Sequence, residues 1–86
     1  MKKIEMTVEK ALRSIMTELG VSQAKLAGKM GIKNQQTVYN MITSKTGMRA
    51  NNMIKMFEAL GYEVVIRNKV NDAEIVLEAS DAEDGR

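Results

Sequence analysis

The chain has no cysteine and no histidine among its 86 residues. These two absences remove structural zinc, thiol nucleophiles, Ser-His triads and histidine general bases together. Disulfides are excluded as well, which suits a reducing compartment. Aromatics are almost missing: Tyr39, Phe57 and Tyr62 are the only three, and eight methionines take up some of that volume. A flexible thioether fills irregular core space; a Met-rich groove for a partner is the alternative. No apolar run approaches the length of a membrane span, and the lysines within Met1–Met6 have no signal-peptide core behind them. The carboxylates Glu58, Glu63, Glu74 and Glu78 have no nucleophile–base pair or metal set beside them. The expectation is therefore a soluble cytoplasmic protein that is not an enzyme, with no cofactor, no metal and no membrane contact.

A further absence is local. Between Glu18 and Glu58 there is no acidic residue, while Lys25, Lys29, Lys33, Lys45, Arg49 and Lys55 punctuate the same stretch. Residues 1–57 hold ten Lys/Arg against three Glu, a net +7, and residues 58–86 hold three against eight Asp/Glu, a net −5. A positive body beside a negative end suggests one surface that faces a polyanion and one that faces away. The chain is short enough to bury only roughly 60–65% of its unfolded surface, so its core is marginal and a second subunit would help.

The apolar spacing Val8, Leu12, Ile15, Met16 and Leu19 predicts a helix with Thr7 as N-cap and Gly20 as terminator. Ser22 caps a second helix that buries Leu26, Ala27 and Met30 and stops at Gly31. Ile32-Lys33-Asn34 forms a turn, and Asn34 caps a third helix to about Thr43 with Val38, Met41 and Ile42 inward. Gln35, Gln36, Thr37 and Asn40 face outward near its start. Ser44 to Gly47 breaks the helix, and a fourth, about Asn51 to Leu60, buries Met53, Ile54, Phe57 and Leu60. The period then changes from helical to alternating. Tyr62–Arg67 and Glu74–Glu78 are β-branched runs separated by a stretch containing Asn71-Asp72, which predicts an antiparallel hairpin. Val64 and Ile66 share one face of its first strand, Ile75 and Leu77 one face of its second. Residues 80–86 are acidic and rich in small side chains, and are expected to be a disordered tail.

The segment Ser22 to Ile42 resembles the helix-turn-helix of the Cro/repressor (Xre) family of phage and bacterial regulators. Gln23, Leu26, Ala27, Gly31, Ile32, Val38 and Met41 carry the likeness, and Gln35-Gln36-Thr37 is similar to the start of the recognition helix in lambdoid repressors. Two features depart from the pattern. The turn between Gly31 and Val38 is one residue longer than usual, which leaves the helix register open by one position. Ala24, Lys25, Gly28 and Lys29 stand where the family carries acids, and Gly28 in mid-helix costs about 1 kcal/mol against alanine. Close approach to a DNA backbone or to a neighbouring helix would account for it.

The resemblance implies a mainly α architecture: a four-to-five-helix, repressor-like helix-turn-helix bundle over residues 1–61, followed by a C-terminal β-hairpin over 62–79. It implies double-stranded DNA as partner, with Gln35, Gln36, Thr37 and Asn40 facing base edges. Gln23, Lys33, Tyr39, Lys45, Thr46 and Arg49 would sit at the DNA backbone, Gln23 alternatively bracing Gln35. The residue chemistry agrees, since glutamine and asparagine can pair bidentately with adenine and threonine can meet a thymine methyl. Each position also has a plain reading: Gln23 as a helix cap, the other amides as solvated surface, Tyr39 packed on the turn, and Lys25 and Lys29 as a solvated face. An isolated hairpin is marginal in water, so Val64, Ile66, Ile75 and Leu77 are expected to form a homodimer interface, or else to fold back on the helices. The functional expectation is a dimeric repressor from a phage or mobile element on a pseudo-palindromic operator, nucleoid-associated when bound. The alternative is an antitoxin that neutralises a toxin partner through its C-terminal segment, including Asp81 to Asp84.

Overall fold

A computed structural model describes residues 5–44 and 47–80. Within them lie four helices, α1 (Val8–Leu19), α2 (Gln23–Met30), α3 (Gln35–Ile42) and α4 (Ala50–Ala59), followed by two strands, β1 (Val64–Arg67) and β2 (Glu74–Leu77). The protein is small and mainly helical with a two-stranded antiparallel hairpin. Among the described residues no helix is long and apolar enough to cross a membrane.

Local chemistry sets the helix ends. The hydroxyls of Thr7 and Ser22 accept the backbone N–H of Lys10 and Lys25, at 3.2 and 3.1 Å. The Asn34 amide oxygen accepts the N–H of Gln36 at 2.8 Å, which satisfies a donor that the first helical turn leaves unpaired. Gly31 ends α2 in the left-handed region at φ 75°, a conformation that glycine adopts without steric cost. Its neighbour Ile32 then donates back to the Ala27 carbonyl at 2.8 Å. That backward bond reverses the chain and tucks half-buried Ile32 against the core. Val21 does the same after Gly20. α3 begins at Gln35, as expected from Asn34 as its cap.

The core is one cluster with members from all four helices: Leu12 and Met16, Leu26 and Ala27, Val38 and Ile42, Met56 and Leu60. α2 lies against α3 and α4, and α4 also touches α1 and β1. Two expectations about burial need correction. Val8 and Leu19, in phase with the α1 core face, are 43% and 47% exposed, because the neighbouring helices cover the middle of α1 and not its ends. On α4, Met56 is completely buried, whereas Met53 and Phe57 are only partly so. Ile54 and Met56 are both buried although about 200° apart around the helix. Such a helix is covered on two sides, and a single apolar stripe underestimates it.

The hairpin pairs Val64 with Leu77, Val65 with Val76, Ile66 with Ile75 and Arg67 with Glu74. Its turn is held by side-chain amides: Asn68 accepts from the N–H of Val70 at 2.8 Å, and Asn71 accepts from that of Ala73 at 2.9 Å. Asp72 closes it in a left-handed conformation, φ 64°. Little covers the ladder. Val64 and Leu77 are half-buried, while Ile66 and Ile75 are 52% and 63% exposed. Ser80, expected to open a disordered tail, is held instead: the Asn51 side chain accepts its N–H at 2.6 Å and donates to its carbonyl at 3.4 Å. Residues 81–86 lie outside the described part of the chain.

Candidate nucleic-acid interface

α3 owes its outward face to the burial of two side chains. Val38 and Ile42, a turn apart, are sealed in the core, and the opposite side of an eight-residue helix must then face away from it. Gln36, Thr37 and Asn40 lie on that side, with Tyr39 at its margin and Gln35 in the first turn above Val38, all exposed. None carries charge. At the centre of the face the Gln36 side-chain amide donates to the Asn40 amide oxygen at 3.1 Å. The pair is one turn apart, the spacing at which helical side chains meet. The bond fixes the Gln36 amide plane and leaves its oxygen and one N–H, together with the Asn40 N–H groups, available to a ligand.

The flanks of this face differ. On one side Gln35 lines a groove with Lys33, Ala24 and Ala27. On the other, Thr37 and Asn40 line a groove with Ser44, Arg49 and Asn52. Cations Lys33 and Arg49, both exposed, thus sit on opposite sides of the amide-bearing helix. Lys29 and Lys55 share a third groove, with Glu58. Lys45 and Thr46, expected near phosphates, lie outside the described residues.

Gln23 opens α2 and is half-buried in a groove beside Arg13, Thr17 and Ile42, a different groove from that of Gln35. Tyr39 is 44% exposed, and its backbone carbonyl accepts the Thr43 hydroxyl at 2.8 Å. Of the hairpin residues expected at a dimer interface, Val64, Ile66, Ile75 and Leu77 share one face, as the register requires.

Two participants, Ser44 and Asn52, are missed by a reading of the sequence. Ser44 and Asn52 join the Thr37 side only because the chain after α3 returns past it. Asn52 had a usable signal, for Asn51-Asn52 places short amides in the first turn of α4 as Gln35-Gln36 does in α3. The Gln36–Asn40 bond was readable from its spacing of four. No buried polar or charged side chain occurs among the described residues, and no group of three or more carboxylates there is placed to hold a metal ion. Compared with protein-family models, curated proteins and solved structures, the chain matches none.

Proposed function

We propose that this protein is a sequence-specific double-stranded DNA-binding regulator, a repressor-like helix-turn-helix module that works as a dimer on a pseudo-palindromic operator. The observation that carries the reading is the outward Gln36–Asn40 pair at the centre of α3, between Lys33 and Arg49. In the major groove adenine offers an N6 donor beside an N7 acceptor. The Gln36 oxygen would accept from the first and its remaining N–H would donate to the second, while Asn40 keeps the amide from rotating. Thr37 and Gln35 would meet adjacent bases. Lys33 and Arg49, joined by Lys45 and Thr46, would neutralise phosphates on either side and fix the helix in register without reading sequence. Bound in this way over an operator, the dimer would exclude polymerase.

The test separates reading from holding. Once a preferred duplex has been selected from a random library, Gln36→Ala should weaken binding to it by about 1–3 kcal/mol and leave binding to unrelated duplex unchanged. Lys33→Ala should weaken both by a similar factor. Equal losses for Gln36→Ala on both duplexes would remove base reading from α3.

An antitoxin remains the second reading, because exposed Ile66 and Ile75 give a toxin an apolar surface to cover. Copurification of a cationic toxin through the hairpin would favour it.

A further inference from the structure

The hairpin has two free edges, and the chain treats them differently. Asn68 donates its N–H to the Ala73 carbonyl at 2.8 Å, which makes these two a hydrogen-bonded pair next to the Arg67–Glu74 pair. Along an antiparallel ladder the backbone groups of successive residues turn to opposite sides. Val64 and Ile66 therefore direct theirs to β2, and Glu63, Val65 and Arg67 direct theirs to the outer edge of β1. The sheet contains no third strand among the described residues, and all three of these side chains are exposed.

We propose that this edge of β1 is a self-pairing surface, occupied by β1 of a second copy running antiparallel about a two-fold axis at Val65. Among two-fold registers, this one keeps residues 63–67 fully overlapped. It sets Val65 opposite Val65 of the second copy, and the two exchange both backbone hydrogen bonds. Val64 then lies opposite Ile66 of the second copy. Glu63 lies opposite Arg67 of the second copy, and by symmetry the same pair forms again. Opposite charges directly across a ladder are stabilising and like charges are not. Within one chain, continuing the register places Glu63 opposite Glu78, an unfavourable neighbour that Arg67 of the second copy offsets.

The other edge does not offer this. Pairing β2 with itself about Val76 would set Glu74 opposite Glu78 of the second copy, twice. That edge is also tied at one end, where the Asn51 side chain engages both backbone groups of Ser80. The result is a four-stranded sheet in the order β2-β1-β1-β2. The seam belongs to Glu63, Val65 and Arg67, with Val64 and Ile66 beside it and Ile75 and Leu77 on the outer strands.

This inference rests on the dimer in the proposed function and on none of its DNA contacts, so it is tested without DNA. Sedimentation equilibrium of the full chain at micromolar concentration should give twice the 9.6 kDa chain mass. Glu63→Arg should raise the dimer dissociation constant about ten-fold, because two attractive pairs become repulsive. The same change relieves the contact with Glu78, so circular dichroism should show the hairpin intact. Glu63→Gln, which removes the attraction without adding repulsion and leaves the Arg67–Glu74 pair in place, should raise the dissociation constant by less. A wild-type monomer throughout the micromolar range would overturn the proposal. So would a dimer that is indifferent to Glu63→Arg but lost with Ile75→Lys, which would mean that the sheets pack by their faces. Loss of operator binding in a chain that still dimerises would count against the DNA reading alone.

Discussion

The helical body and the hairpin solve the same problem with different resources. In the body four short helices pool two buried side chains or more each, and Leu12, Leu26, Val38 and Met56 are shielded completely. The polar and cationic side chains are left for the surface. In the hairpin no residue is fully buried, and the apolar side chains Ile66, Val70, Ile75 and Val76 face outward. Its order comes from the turn amides of Asn68 and Asn71, from the ladder itself, and from one side-chain clasp onto α4. The body has a buried core of its own, and the hairpin has none. A cluster of buried side chains specifies a fold, whereas an exposed apolar ribbon specifies a need for a neighbour.

The largest effect that would sharpen this contrast is a truncation inside the cluster. Leu26→Ala should lower the unfolding free energy by about 2–5 kcal/mol in urea titration, because the cavity sits where α2 meets α3 and α4. Ile75→Ala, on the exposed ladder, should cost less than about 1 kcal/mol at protein concentrations too low for association. Comparable costs at both sites would show that the hairpin face is covered in solution, and the contrast would fail.

A smaller effect concerns the join between the two regions. Asn51→Ala removes both bonds to Ser80, each of which contributes about 0.5–1.5 kcal/mol. Hydrogen exchange should then quicken at β2 amides and at Ser80 while the amides of α2 keep their protection. Equal loss of protection in α2 would mean that hairpin and body open as one unit.

How much of this was legible in the sequence follows from range. The caps at Thr7, Ser22 and Asn34 and the stop at Gly31 are local chemistry, with donor and acceptor within three residues, and they fall where the residue types require. The outward face of α3 was equally readable, because Val38 and Ile42 fix its rotation. What could not be read depends on neighbours distant in sequence. The exposure of Val8 and Leu19 follows from how far the other helices reach along α1, and the burial of Met56 from α4 being covered on two sides. The Asn51–Ser80 clasp joins residues 29 apart. No pattern of spacing announces it. The grooves flanking Gln36 had the same limit, since Arg49 and Asn52 enter one of them from the start of α4 and the residue before it.

The smallest effect tests the one residue in the body that local rules oppose. Gly28 lies inside α2, where glycine costs about 0.5–1 kcal/mol relative to alanine. A Cβ placed there would meet nothing within 4 Å, so no neighbouring helix requires the glycine. Gly28→Ala should therefore raise the unfolding free energy by about 0.4–1 kcal/mol. It lies one turn after Ala24, which lines the groove beside Gln35. If that side of α2 approaches a DNA backbone, the stabilised variant should bind duplex more weakly than the wild type. A variant that is more stable and binds equally well would leave the glycine without a role at the interface, and the close contact would have to be sought along α3 alone.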